Sequence, residues 1–174
     1  MTAANFQKCL QLVLVSEGGN DDDPDDPGGR TSRGITQREY DAYRKTHPGL
    51  SDDVWSAPQS AIDDIYDISY WQPWCPQFPD GGDYVFFDIS VLSGPGRAAK
   101  WLQEALGVEV DGHIGVITQT ALKLAQPKDV IVKMSGLRAA NYNDLVADNP
   151  RLKKYLKGWL ARTNRVQTDA LGMT

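Results

Sequence analysis

Two carboxylates set nine positions apart, Glu17 and Asp26, are the residues whose type and spacing best suit chemistry. Glu17 closes a run from Asn5 in which Phe6, Leu10, Val13 and Leu14 recur at steps of three and four, so it shares the apolar face of an expected helix. Gly18 and Gly19 follow at once, and glycine just past a helix supplies a left-handed cap, so the helix is expected to stop beside Glu17. Partial burial and the negative end of the helix dipole both favour the neutral acid, the form that a general acid needs. Asp26 is fixed between Pro24 and a Pro27-Gly28-Gly29 turn, a rigid frame that can hold a carboxylate at a set distance from Glu17. Cleavage of a glycosidic bond uses such a pair: one acid protonates the leaving oxygen, while a second carboxylate activates water or attacks the sugar. Taken alone, Glu17 would instead lean to solvent from a frayed last turn.

Other chemistries fit less well. Asp21, Asp23 and Asp25 alternate like the start of a calcium-binding EF-hand, but Asp26 occupies the place of the required glycine and Ser32 that of the bidentate glutamate. Asp21 to Asp23 read better as a solvated acidic turn. His47 and His113 stand alone, without a second ligand at metal spacing, so neither a metal nor a cofactor is expected. Tyr70, Trp71 and Trp74 cluster beside prolines, as a platform for pyranose rings or as core. Trp101 and Trp159 lie on apolar helix faces and read as core. Asp88, among Phe86, Phe87 and Ile89, is either a buried, hydrogen-bonded scaffold acid or a substrate contact.

The run Glu17-Gly18-Gly19, Asp23-Pro24, Asp26-Pro27-Gly28-Gly29, Thr31 and Gly34-Ile35-Thr36 resembles the signature of glycoside hydrolase family 108. Weaker likeness continues through Tyr70-Trp71, Phe87-Asp88, Trp101-Leu102-Gln103 and Asp111-Gly112-His113 to Gly158-Trp159-Leu160. The resemblance implies an N-acetylmuramidase of phage or prophage type, with a lysozyme-like catalytic region over 1–92 and a helical peptidoglycan-binding region over 93–174, packed into one compact domain. It implies Glu17 as catalytic acid, Asp26 as second carboxylate and Thr31 as third site residue, with Ser32 as the rival hydroxyl. Trp71, Tyr70, Thr36 and Asp88 become the substrate contacts. A lytic transglycosylase using Glu17 alone is the near alternative, and a non-catalytic wall-binding or phage structural protein the alternative of another class.

The elements that must position these residues are mainly helical. Thr36-Gln37-Arg38-Glu39 and Ser56-Ala57-Pro58-Gln59 each read as a capping box opening a helix. Between Glu17 and Thr36 there is room for a turn and a short β-hairpin over Arg30 to Ile35. Tyr84 to Leu92 suits a buried helix or strand, and the resemblance to lysozyme-like folds favours helix. Arg97 to Leu106 is expected to end at Gly107, Asp111-Gly112 to turn, and Thr118 to cap the next helix; two long helices, Asp129 to Ala147 and Pro150 to Leu171, close the chain. The fold class expected is therefore mainly α, lysozyme-like, with a short hairpin between the first two helices.

Composition agrees with a compact enzyme. A chain of 174 residues, 41% hydrophobic, suits one domain burying about 70% of its unfolded surface. A net charge of −5 argues against nucleic acid as partner and offers no long-range attraction to an anionic bacterial wall. Arg151, Lys153, Lys154, Lys157, Arg162 and Arg165 nevertheless form an acid-free basic stretch, read as a solvated helix face or a surface resting on anions. Cys9 and Cys75 are too few for a disulfide framework; Cys9 is expected as a buried free thiol, with a bridge between the two as the alternative. The start Met1 to Asn5 lacks the basic region of a signal peptide, so synthesis in the cytoplasm of the host is expected, as a monomer. Action on peptidoglycan in the periplasm then needs a holin or other export route.

Overall fold

The structure is a computed structural model that describes residues 3–15, 19–21 and 30–174. Glu17 and Asp26 therefore lie outside the described residues, as do Gly18 and the Pro24 to Gly29 frame. Eight α-helices and three two-residue strands appear among the described residues, so the chain is mainly α, with its β structure between the first two helices as expected. None of these helices is long and apolar enough to cross a membrane. Contacts divide the chain into two compact units, Met1–Pro73 and Trp74–Thr174.

In the first unit, α1 (Ala3–Leu14) buries Phe6, Leu10 and Val13 of the expected stripe together with Cys9, and half-buries Leu14. Strands β1 (Asn20–Asp21), β2 (Thr31–Ser32) and β3 (Ile35–Thr36) form an antiparallel sheet in that order. The backbone of Asp21 is thus an edge strand opposite Thr31, a correction to its reading as part of a solvated turn: long-range pairing satisfies a backbone that local composition left to water. Helix α2 (Gln37–Arg44) starts at Thr36 with the expected capping box. Helix α3 (Gln59–Tyr66) continues into a π-helical turn, Asp67–Trp71. The capping box expected at Ser56 is absent. Ser56 is used in a 3-10 turn, Val54–Ser56, capped by Asp53, and α3 begins after Pro58 with no side-chain cap.

In the second unit, α4 (Gly82–Ser93) is buried from Gly82 to Ser90 and packs on α5 (Pro95–Leu106), α7 (Pro127–Asp148) and α8 (Lys153–Leu171). A helix covered nearly all round explains why periodicity cannot tell it from a strand. Gly81, at φ 84°, precedes it where a Cβ would collide with the carbonyl oxygen of Ala170. Gly107 ends α5 in the left-handed region as expected. Helix α6 (Val116–Leu124) begins after Gly115, which corrects the expectation for Thr118. Thr118 is buried in the first turn, and its Oγ1 accepts from Gln103 Nε2 at 3.3 Å instead of capping the helix. Cys9 and Cys75 are buried thiols. Trp101 is buried, whereas Trp159 is only half-buried, stacked between Tyr142 and Tyr155.

Candidate functional site

The β2–β3 hairpin carries the described part of the expected catalytic set. Its loop is two residues long, Arg33 and Gly34, with φ of 50° and 80°. Positive φ at both positions gives a turn whose twist matches that of paired strands. Glycine adopts this freely, but arginine is held there at a cost of about 1 kcal/mol. The surroundings offset it. Arg33 Nη1 donates to Gln59 Oε1 at 2.7 Å, Nη2 to the Ala57 carbonyl at 2.6 Å, and Nε to Ser32 Oγ at 3.3 Å. Its backbone N–H donates to the Gly19 carbonyl, and its own carbonyl accepts from the Tyr66 hydroxyl at 2.9 Å. The tip is therefore fastened to β1, to the approach to α3 and to α3 itself.

Thr31 and Ser32 separate cleanly on this ribbon, because successive strand side chains point to opposite faces. Ser32 is 1% exposed, whereas Thr31 is half-buried and faces Thr36 across the strands. The Thr31 carbonyl accepts from Trp55 Nε1 at 2.9 Å, and the Arg30 guanidinium lies 3.7 Å over the Trp55 ring while pairing with Asp53 at 3.4 Å.

Behind Thr36 stands Glu39, whose two oxygens are used differently. Oε2 accepts from the Thr36 backbone N–H at 2.9 Å and from Thr36 Oγ1 at 2.8 Å; Oε1 accepts from the Tyr70 hydroxyl at 2.6 Å. Thr36 and Tyr70 are thus joined through Glu39, and Thr31 lies opposite Thr36 in the hairpin; all three, singled out in the sequence, are half-buried. The sequence identifies Glu39 only as a capping partner; its bond to a hydroxyl 31 positions away is tertiary. Trp55, too, carries no sequence signal beyond its type.

Trp71 and Asp88 are not on such a surface. Trp71 is 1% exposed, with its ring centroid 5.5 Å from that of Phe6. Asp88, 0% exposed and in the second unit, is clamped by two arginines: Arg138 Nη1 donates to Oδ2 at 2.6 Å, and Arg162 Nη2 and Nε donate to Oδ1 at 2.8 and 3.1 Å. This is the scaffold acid of the two alternatives. Burial first, then the Asp88 charge, push the nearby Tyr84 phenol above its usual range.

In the loop from α5 to α6, Gln103 is the organiser. Its Nε2 donates to Asp111 Oδ1 at 2.6 Å and to the His113 carbonyl at 3.0 Å, while its Oε1 accepts from the Gly112 N–H at 2.7 Å. These bonds, with that from His113 N–H, hold the exposed Asp111 carboxyl below the usual carboxylate range. Among the described residues, no three His, Cys, Asp or Glu side chains come together as metal ligands.

The chain is similar to known proteins. The family described as Glycosyl hydrolase 108 matches residues 10–94, and the family described as Predicted Peptidoglycan domain matches residues 97–164. Among solved structures, that of Brucella abortus SagA is similar at a TM-score of 0.82 and 32% sequence identity, over 98% of this chain and 95% of that one. No curated protein matches.

Proposed function

We propose, on the premise that the chain belongs to the glycosyl hydrolase 108 family, that it is an N-acetylmuramidase. The family and the Predicted Peptidoglycan match make the chain a glycoside hydrolase acting on peptidoglycan. The finer reading is hydrolysis of the β-1,4 bond between N-acetylmuramic acid and N-acetylglucosamine. In it Glu17 protonates the glycosidic oxygen, Asp26 supports the developing positive charge or orients water, and Thr31 helps to hold that water. The observation that carries this is the family match over residues 10–94, a range that takes in all three positions.

Local geometry supports Thr31 over Ser32, since Ser32 is buried and bonded to Arg33 whereas Thr31 is partly open beside Thr36. Strand β1 begins three residues after Glu17 and pairs with β2, which begins five residues after Asp26, so the segments leaving both acids meet in one sheet. Thr36 and Tyr70, polar and half-buried, are the substrate contacts that this surface favours. A functional division at 1–92 and 93–174 is supported by the two family matches, which part between 94 and 97. We read the biological role as that of a phage or prophage endolysin, delivered to the periplasm by a holin or other export route.

Mass spectrometry of digested, purified peptidoglycan tests the reaction. Reducing muramic acid ends are expected; anhydro-muramic ends would make the chain a lytic transglycosylase, and reducing glucosamine ends would overturn the bond assignment. Glu17→Gln should slow release by about 10²- to 10⁴-fold. Undiminished lysis by that variant would remove Glu17 from its role, and no lysis by the wild type would favour a wall-binding protein.

A further inference from the structure

A groove of about 640 Å³ lies at the start of α5, between the Asp111-Gly112 turn and α7. Arg97, Lys100, Trp101, Asp111, Gly112 and Asn141 line it. Charges of both signs face the same hollow, yet among the described residues no ion pair crosses it. Arg97 has a neutral partner, Asn141, whose Oδ1 accepts from Nη1 at 3.2 Å. Lys100 lays its stem on Gly112, where a Cβ would come within 3.3 Å of Cε; Gly112, at φ 81°, leaves that room. Arg97 and Lys100 therefore offer positive charge and Asp111 negative charge to one hollow, an arrangement that a ligand carrying both charges complements.

Asp111 is pre-set for such a role. Its Oδ1 is held by Gln103 and by the His113 N–H, which fixes the carboxylate and leaves Oδ2 without a protein partner among the described residues. The buried Gln103 thus sets the acid, Asn141 sets one cation, and Trp101 supplies an apolar wall between them. The cations suit a carboxylate and Asp111 an ammonium.

We propose that this groove binds the zwitterionic amino-acid end of a wall stem peptide, its carboxylate to Arg97 and Lys100 and its ammonium to Asp111. The proposal rests on peptidoglycan as substrate and adds a peptide-reading site to the glycan-cutting one. It makes the second unit selective for walls whose stem peptides carry a free amino-acid centre.

Titration of the full chain by NMR, following the Trp101 indole and Gly112 amide signals, tests it with two soluble probes. One is L-alanyl-γ-D-glutamyl-meso-diaminopimelate; the other has L-lysine in place of the diaminopimelate and so lacks the distal carboxylate. Saturable shifts at both signals are expected, with the lysine peptide weaker by about two- to fivefold. Arg97→Gln with Lys100→Gln should erase that difference, and Asp111→Asn should weaken both peptides. The paired cation variant guards against loosening of the turn in Asp111→Asn, since among the described residues only Asn141 holds either cationic side chain through a hydrogen bond. Equal wild-type affinity for the two peptides, or shifts confined elsewhere, would overturn the proposal. Cleavage of peptide-stripped glycan strands by the wild type tests the muramidase reading separately: failure there with the peptide bound sinks that reading and leaves the groove standing.

Discussion

Asp88 and Glu39 are both carboxylates with each oxygen engaged, one in each unit, and the difference between them separates a structural charge from a positioning one. Asp88 is fully buried and met by two guanidiniums, so charge neutralises charge where water is absent. Glu39 is half-buried and met only by neutral donors, two from Thr36 and one from Tyr70. A buried ion pair adds little net stability over an apolar replacement, but removing one member leaves an uncompensated charge. A half-exposed carboxylate carries no such penalty; what it contributes is direction, fixing the end of β3 and the start of α2 against the π-helical turn.

Asp88→Asn should have the largest effect, a loss of about 3–5 kcal/mol of stability seen as a lower denaturation midpoint, because Arg138 and Arg162 would both lose the buried carboxylate that they bond. If replacing all three with apolar residues of similar volume recovered most of that loss, the clamp would owe its effect to unpaired charge and not to strong attraction. Glu39→Gln should cost about 1–3 kcal/mol, the range of bonds to a charged acceptor, and should slow wall hydrolysis in protein that is still folded. An Asp88-sized collapse from Glu39→Gln would erase the contrast. Gly34→Ala should cost about 1 kcal/mol and raise amide exchange in the hairpin, because a Cβ is strained at φ 80°.

The smallest effect belongs to a third carboxylate, the exposed Asp64, which accepts from the Tyr43 hydroxyl at 2.7 Å. Burial, followed by that hydrogen bond, pushes the Tyr43 phenol from 10.0 up to about 12. Since the folded value is raised, its contribution to stability is fully present below pH 10 and is lost as pH rises towards 12. Ultraviolet titration of the phenolate should show that midpoint fall part of the way to 10 in Asp64→Asn, burial keeping the remainder.

Local signals read well where the partner is close in sequence. The α1 stripe, the Thr36–Glu39 capping box, the Gly107 stop and a hairpin within one residue of its expected place all depend on neighbours a few positions apart. Reading failed where another group organised the segment first. Ser56 and Thr118 have the type and spacing of caps, but Asp53, three residues earlier, caps the turn in which Ser56 lies, and Gln103, fifteen positions away, draws Thr118 into a buried bond. Strand β1 was illegible because two residues, Asn20 and Asp21, carry no alternation; their pairing with Thr31 and Ser32 exists only once the hairpin is in place.

The sequence by itself determined the family through the spacing of residues 17 to 36, the helical class, the capping box and the hairpin, since each is written in short-range pattern. Only the tertiary structure decided which hydroxyl of the Thr31–Ser32 pair stays accessible, that Glu39 ties Thr36 to Tyr70, that Asp88 is an arginine-clamped core acid, and that Arg97, Lys100 and Asp111 share a groove. Residue type states what a side chain can bond to, but which donor reaches it first, and whether water competes, is set by packing between elements tens of residues apart.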